Sequence, residues 1–275
     1  MSKSSIIAIV CLVILYVHSA IIEPNNIQVT HFAIKDRELQ GLRVAFLSDF
    51  HLKQRDYKKL NKIANLTAKQ KPDVILLGGD YFKEKKIKNT MSPYLFATSM
   101  HKANVPVYGV LGESDWLVGG ETIKKEFTNN GIIMLDNSKQ PFFHQTRHID
   151  IIGLADKTTR GVKIAEAFKI TKNSKKDTPR GKQPLRIVLS HNPDVYYDIM
   201  DDVNLILSGH THGGQFIIPF SPPMFVPSKF GAEFASGLIS KTKNKMIISK
   251  GLGTSKVPFR FNCKPEILII DFTAN

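Results

Sequence analysis

The feature that most constrains the fold is a set of short apolar segments that each lead into aspartate or histidine. The segments lie at residues 44–47, 74–80, 187–190 and 203–207. Short apolar runs of this kind predict buried strands. Open α/β sheets bind ligands at the carboxyl ends of their strands, so we expect the polar residues to meet at one edge. These residues are Asp49 and His51, then Asp80, then His191, and finally His210 and His212.

The last of these segments carries the strongest single signal. Residues 208–215 read Ser-Gly-His-Thr-His-Gly-Gly-Gln. Side chains two positions apart in extended backbone point the same way, so His210 and His212 are expected to face one cavity. Imidazole is the commonest protein ligand for transition metals. Two aspartates and four histidines exceed the roughly three protein ligands of one catalytic metal, which favours a pair of ions about 3.5–4 Å apart.

Each signal also has a structural interpretation when it is taken alone. The Asp-x-His pair of Asp49 and His51 can be a hydrogen-bonded turn, and Gly-Gly-Asp before Tyr81 is a common turn sequence. His191 precedes Asn-Pro and can be a helix-entry residue. The coincidence of all the signals at strand ends favours a metal site. His18, His31, His101, His144 and His148 lack this setting and are interpreted as surface or packing residues.

Hydrophobic composition and the N-terminal segment indicate one large domain behind an apolar leader. The 275 residues are 42% hydrophobic, which suffices for a sizeable core. Residues 6–17 are apolar without interruption, and the apolar stretch continues to residue 22. A retained anchor is favoured over a cleaved signal peptide. We therefore expect an anchor or signal segment at residues 1–25 and a catalytic domain at residues 26–275.

The net charge of +14 predicts an anionic partner. Basic runs at residues 83–88 and 172–182 are solvated faces by default, but beside an apolar anchor they suit a membrane surface with anionic lipids. No interleaved aromatic stripe or groove-reading helix is apparent, so nucleic acid is not predicted. Cys11 and Cys263 are not expected to pair. The sequence predicts no particular oligomeric state.

Periodicity predicts a layered α/β sandwich in a single domain. Expected helices cover residues 58–68, 93–101, 122–127 and 165–170, and a polar loop covers residues 171–183. Expected strands, besides those named above, cover residues 27–35 at a sheet edge and residues 105–110, 149–154, 246–249 and 267–271. The apolar, proline-rich residues 219–225 can form part of an acyl-chain groove beside the metals, but a packed loop is the favoured interpretation.

The order of these motifs resembles the calcineurin-like metallophosphoesterases. That family has Asp-x-His, Gly-Asp, Gly-Asn-His-Asp, a lone His and Gly-His-x-His in this order. The membrane-anchored bacterial branch is more similar still, because it shares Glu-Pro-Asn at residues 23–25 and the late motifs at residues 251–255 and 260–267. The resemblance implies a four-layer α/β sandwich of two mixed sheets flanked by helices.

The resemblance also implies a two-metal phosphohydrolase and a role for each ligand. Asp49, His51 and His212 would hold one divalent ion, His191 and His210 would hold the other, and Asp80 would bridge them. The ions would be Mn, Zn or Fe. Some members of the branch hydrolyse the pyrophosphate bond of UDP-2,3-diacylglucosamine in lipid A synthesis, which implies a phosphorylated and lipid-linked substrate.

The chain departs from the family at one motif. Glu113 and Ser114 stand where the family has Asn and His. Glu113 still offers an oxygen ligand, but its charge makes the second ion a weaker Lewis acid. Ser114 occupies the catalytic position of the histidine, although it cannot act as a general acid near neutral pH. The chain is therefore either an enzyme for substrates with good leaving groups or a catalytically weak metal-binding protein that holds a phosphorylated cell-envelope ligand.

Two further expectations concern substrate and location. Arg260 and Asn262 are expected either to bind substrate phosphate or to fix the C-terminal strand. The anchor implies the bacterial inner membrane, and Lys3 favours an outward-facing domain by the positive-inside rule. A UDP-linked lipid instead requires a cytoplasmic domain, so the side of the membrane stays open.

Overall fold

Two six-stranded mixed sheets packed face to face form the centre of the molecule. The computed structural model describes residues 2–83, 87, 91–169 and 184–274. The first sheet has the strand order β1-β12-β2-β3-β4-β5. Its strands are β1 (Gln28–Lys35), β2 (Arg43–Leu47), β3 (Val74–Leu77), β4 (Val107–Gly109), β5 (Ile133–Met134) and β12 (Glu266–Thr273).

The second sheet has the order β10-β11-β9-β8-β7-β6. Its strands are β6 (Ser138–His144), β7 (Arg147–Gly153), β8 (Leu185–Ser190), β9 (Leu205–Ser208), β10 (Gly237–Ile239) and β11 (Met246–Ile248). Strands β2 to β5 run parallel in the first sheet, and β7, β8, β9 and β11 run parallel in the second. The carboxyl ends of these strands therefore share one edge within each sheet, which is where the polar residues of the sequence motifs lie.

Helices flank both sheets. They are α1 (Lys3–Val17), α2 (Glu23–Asn25), α3 (Tyr57–Lys69), α4 (Pro93–Met100), α5 (Glu113–Asn129) and α6 (Ile164–Ala167). A π-helical segment, His18–Ile22, joins α1 to α2. Helix α3 shows why these segments fold as they do, because Leu60, Ile63 and Ala64 fall on one buried face at helical spacing.

Alternation along the strands divides the core into three layers of side chains. In β2, Val44 and Phe46 face the second sheet, whereas Ala45 and Leu47 face helices α3, α4 and α5. In β8, Ile187 packs between the sheets and Val188 packs against the short helical turns on the outer side. This period of two is that of strands buried on both faces. The fold is therefore the predicted four-layer α/β sandwich.

Most predicted elements are present, and the differences have physical causes. Strand β1 lies at the sheet edge as predicted, and the helices predicted at residues 58–68 and 93–101 are confirmed. The helix predicted at residues 122–127 is wrong in extent, because α5 begins at Glu113 and has a kink at Gly119, whose backbone is non-helical with φ 142°. The helix predicted at residues 165–170 spans Ile164–Ala167. The polar loop at residues 171–183 and the basic run at residues 172–182 lie outside the described residues, as do most residues of the run at 83–88.

The N-terminal helical segment, Lys3–Asn25, projects from the domain. It is long and apolar enough to cross a membrane, and the central part of its surface is exposed. Its end is tied to the domain, because the Arg260 amide donates to the Ser19 carbonyl and the Cys263 amide donates to the buried Glu23 carboxylate. Since β1 runs antiparallel to β2 through β12, the segment joins the domain at the edge where β2 ends.

Candidate metal centre

The carboxyl ends of five strands bring the predicted ligands together at one edge of the sandwich. Asp49 and His51 follow β2, Asp80 follows β3, Glu113 follows β4, His191 follows β8, and His210 and His212 follow β9. Three groups of these residues place their ligand atoms within 4.8 Å of one another. The groups are Asp49 with His51 and His212, Glu113 with His191 and His210, and Asp49 with Asp80 and His191.

The first group places two imidazoles opposite each other. His51 Nε2 and His212 Nε2 lie 3.1 Å apart, and the rings are stacked with a centroid distance of 4.9 Å. Asp49 Oδ1 lies 3.5 Å from His212 Nε2. All three residues are buried. Two ring nitrogens and a carboxylate oxygen converging in this way form a donor set that suits a divalent transition metal.

The second group is organised around the Glu113 carboxylate. His191 Nε2 lies 2.8 Å from Glu113 Oε2, and His210 Nδ1 lies 2.9 Å from Glu113 Oε1. His191 Nδ1 donates to the Gly78 carbonyl at 2.7 Å. That bond assigns a proton to Nδ1 and directs Nε2 toward Glu113, where a cation would take the place of the Nε2 proton, an arrangement typical of histidine ligands.

Asp80 lies between the two groups. Its Oδ2 is 3.3 Å from His51 Nε2, and its Oδ1 is 3.7 Å from His191 Nε2. One carboxylate thus reaches a ligand atom of each group, which is the arrangement that a bridging ligand needs. The amide of Ser114 donates to Asp80 Oδ1 at 2.9 Å, and the Ser114 hydroxyl donates to Oδ2 at 2.8 Å.

The backbone at these strand ends is in an uncommon conformation. Five of the seven predicted ligands have positive φ, which non-glycine residues seldom adopt. They are Asp49 (53°), His51 (41°), Asp80 (57°), His210 (71°) and His212 (53°). Left-handed backbone at so many neighbouring positions costs free energy and persists only where the surrounding structure enforces it. The strain turns each side chain out of its strand and toward the common cavity.

Asp115 supports this geometry and was not among the predicted site residues. It is fully buried, and its carboxylate accepts from the amides of Asp80 (2.7 Å), Tyr81 (2.8 Å) and Gly112 (3.0 Å). These bonds join the backbone around Asp80 to the start of helix α5. Burial, followed by the negative charge of Asp80, raises the pKa of Asp115 to about 8. The fourth position of the Gly-Asn-His-Asp pattern is the signal that could have identified it.

Electrostatics prepares His51 and His212 for metal binding. Burial lowers the pKa of His51, and burial followed by the charge of His51 holds the pKa of His212 well below its ordinary value. Both imidazoles are therefore neutral at neutral pH, which is the form that binds a cation. Burial also disfavours charge on His191, but Asp80 and Glu113 outweigh it and raise the pKa well above the usual range. Partial burial likewise disfavours charge on the Glu113 carboxylate, yet His191 holds the pKa of that group low.

Glycines make the close packing at the site possible. A Cβ atom at Gly112 would lie 2.2 Å from Asp80 Oδ1, and one at Gly209 would lie 2.3 Å from Asp49 Oδ2. Neither position can carry a side chain without moving a predicted ligand. The glycine that precedes His210 is thus needed for the approach of β9 to the end of β2.

Arg260 and Asn262 have different environments. Arg260 is fully buried, and its guanidinium donates to the carbonyls of Lys250, Gly253 and Cys263 at 2.6–3.0 Å. This placement favours the structural alternative for Arg260, because its donors are occupied by backbone. Asn262 is exposed and lines a cavity beside the N-terminal helical segment.

Comparison with known proteins agrees with the geometry. The model of the calcineurin-like phosphoesterase family matches residues 42–214. The Bacillus subtilis protein YpbG is 31% identical, with 83% of this chain and 80% of YpbG covered. The Escherichia coli phosphodiesterase YaeI is 30% identical, with 83% and 81% covered. UDP-2,3-diacylglucosamine pyrophosphatase LpxG of Chlamydia trachomatis is 25% identical, with 90% of each chain covered.

Proposed function

The chain belongs to the calcineurin-like phosphoesterase family, whose members are metal-dependent phosphoester hydrolases. We propose that it cleaves the pyrophosphate bond of a lipid-linked nucleotide sugar at a membrane. UDP-2,3-diacylglucosamine, the substrate in the name of LpxG, is the specific candidate. Residues 1–25 would be the membrane anchor, and residues 26–275 would be the catalytic domain.

The observation that carries the proposal is the convergence of seven donor side chains at one edge. Asp49, His51 and His212 would hold one divalent ion, and Glu113, His191 and His210 would hold the second. Asp80 would bridge them. Two divalent ions in such a site lower the pKa of bound water toward neutrality and offset charge on the phosphoryl oxygens.

The Glu113-Ser114 pair supports a substrate with a good leaving group. The carboxylate of Glu113 contributes a negative charge where the family has a neutral amide. The Ser114 hydroxyl donates to Asp80, and a serine cannot protonate a leaving group near neutral pH. An alkoxide leaving group is strongly basic and needs that proton. A phosphate group expelled from a pyrophosphate is far less basic, so the absence of a general acid slows this reaction least.

The full chain, purified in detergent with Mn²⁺, tests the proposal against a matched substrate pair. The expected result is faster turnover of UDP-2,3-diacylglucosamine than of an unactivated alkyl phosphodiester, with both activities lost in chelator. The Ser114→His variant should accelerate the alkyl diester by about 10²-fold or more and the pyrophosphate by much less. Faster cleavage of the alkyl diester by the unaltered protein contradicts the leaving-group argument.

The alternative is a metal-binding protein without useful catalysis. The replacement of the family's Asn-His pair by Glu113-Ser114 is the observation that favours it. Bound metal, together with no turnover of either substrate or of an activated aryl phosphodiester, would support this alternative. Metal analysis of the purified protein must accompany these assays, because an enzyme that has simply lost its metal would also show no turnover.

The substrate also sets an expectation for topology. UDP-linked lipid intermediates are reached from the cytoplasm, so the catalytic domain should lie on that side of the membrane. A cysteine-accessibility experiment on whole cells, with a cysteine in place of exposed Phe143, reports the side directly. Labelling from outside the inner membrane would exclude this substrate while leaving the phosphohydrolase activity standing.

A further inference from the structure

We propose that residues 216–225, here called the apolar tip, insert into an anionic phospholipid bilayer beside the N-terminal helical segment and hold the metal centre at the membrane surface. The inference rests on the proposed anchor. It adds a second membrane contact, made by the catalytic domain itself.

The apolar tip exposes large hydrophobic side chains in close succession. Phe220 is fully exposed, Phe225 is 77% exposed and Met224 is 64% exposed. Contiguous apolar surface of this kind marks a contact with a partner or a membrane. The exposure of these three side chains differs from the packed loop that the sequence favours. Phe220 also has φ 66°, which is uncommon for a bulky residue, and Pro219, Pro222 and Pro223 stiffen the loop.

Aromatic contacts link the apolar tip to the N-terminal helical segment. Phe216 at the start of the tip pairs with Phe261, and their rings stack with a centroid distance of 5.1 Å. Phe261 in turn meets the ring of His18 edge-on at 6.4 Å. Pro219 and His18 line the same cavity of about 530 Å³. Any bilayer that surrounds the helix just before His18 therefore lies next to the tip.

The surface around the tip is basic, as an anionic lipid surface requires. Residues 213–232 contain no Asp or Glu, and neither do residues 249–265. Lys250 and Lys264 line the cavity between the tip and the helical segment. Glu23 lines the same cavity, but its carboxylate already accepts from the Cys263 amide and faces His18 at 3.6 Å. Lys250 pairs with the buried Glu266 at 3.5 Å, whereas Lys264 is exposed, so Lys264 is the lysine of this cavity that would meet a lipid phosphate.

The tip is also coupled to the metal centre through its base. A Cβ atom at Gly214 would lie 2.8 Å from Pro223, so the tip packs directly against the loop that carries His212. The helical segment reaches the domain at the same edge of the first sheet. Both proposed membrane contacts therefore lie on the side of the molecule where the strands deliver the candidate metal ligands.

Quenching by brominated lipids tests the insertion without relying on activity. The single tryptophan is first replaced (Trp116→Phe), and one tryptophan is then introduced into the full chain by Phe220→Trp or Phe225→Trp. Tyr16→Trp in the helix is the positive control. Phe143→Trp is the negative control, because Phe143 is 61% exposed and lies near the strand ends opposite the metal centre. The proteins are placed in phosphatidylglycerol–phosphatidylethanolamine vesicles with brominated acyl chains.

The expected result is strong quenching at positions 16, 220 and 225 and little quenching at position 143. Quenching at position 16 alone would overturn insertion of the tip and leave the anchor standing. No quenching at position 16 would overturn both membrane contacts. Neither outcome bears on metal-dependent hydrolysis in detergent, so the proposed phosphohydrolase activity is tested separately.

A second readout addresses the role of the tip in catalysis. The double variant Phe220→Ser with Phe225→Ser should lower kcat/KM on a lipid-linked pyrophosphate in vesicles by about fivefold or more. The same variant should leave kcat/KM on a soluble aryl phosphodiester within about twofold. Equal losses on the two substrates would mean that the tip supports the fold of the site rather than its contact with the membrane, and would overturn the proposal.

Discussion

The Ser114 hydroxyl donates a hydrogen bond of 2.8 Å to Asp80 Oδ2, the carboxylate that lies between the two groups of candidate metal ligands. The Ser114 amide donates to the other oxygen at 2.9 Å. Ser114, at the position where the resembling family has histidine, therefore holds both carboxylate oxygens of Asp80, the proposed bridging ligand.

Removal of that hydroxyl should weaken metal binding. We expect Ser114→Ala to lower the affinity for Mn²⁺ by about tenfold, the usual effect of losing a hydrogen bond to a ligating carboxylate. Titration calorimetry on metal-stripped protein measures this. Ser114→Thr keeps the hydroxyl and should restore the affinity. Equal affinities of the alanine and threonine variants would show that the hydroxyl does not position Asp80.

Replacement of Glu113 should affect the second ion alone. Glu113→Gln removes the charge that faces His191 and His210, so the bound metal after dialysis should fall from two ions toward one. Glu121→Gln is the matched control, since Glu121 lies on the same helix and is 71% exposed. Elemental analysis gives the stoichiometry. Loss of both ions, or of neither, would contradict the assignment of Glu113 to one site.

Arg260 should matter for stability rather than for substrate affinity. Arg260→Met leaves several buried carbonyls without donors, and we expect it to lower the free energy of unfolding by about 3 kcal/mol or more. Asn262→Ala at the exposed neighbour should change it by less than about 0.5 kcal/mol. Thermal unfolding of both variants measures the difference. An Arg260 variant with unchanged stability and a raised KM would instead support phosphate binding.

The strand ends were predictable because two signals coincide in the sequence. Asp49 and Asp80 follow apolar runs too short for helices, and parallel strands must place their carboxyl ends at one edge. The sequence therefore predicts which side chains meet without any knowledge of tertiary contacts. The four-layer architecture follows from the family resemblance and from strands that are apolar on both faces.

Other features could not be read from local pattern. Strand β6 contains Pro141, which argues against a strand, but β6 is an edge strand and its proline is tolerated there. Gly119 and Gly120 obscured the first half of α5, which is joined to the second half by a kink at Gly119. The role of Asp115 depends on amides from two other segments. The exposure of Phe220 depends on whether other parts of the protein cover the apolar tip, and tertiary packing rather than local sequence determines this.

A last prediction concerns Lys59, a partly buried lysine of helix α3. Burial, followed by the positive charge of Arg260, lowers the pKa of Lys59 from its ordinary value of 10.5 to about 8. Between these two pH values the folded state therefore binds fewer protons than the unfolded state. The charged lysine lowers the free energy of unfolding by its full amount below pH 8, and this effect fades as the pH rises toward 10.5. We expect Lys59→Met to raise the free energy of unfolding at pH 7 by about 1–2 kcal/mol. The gain should shrink toward zero near pH 10.5, as urea titrations at the two pH values will show.

Lys58→Met replaces an exposed neighbour on the same helix and should give no gain at either pH. A gain at Lys59 that does not change with pH would mean that added apolar contact, and not removal of a buried charge, stabilises the variant.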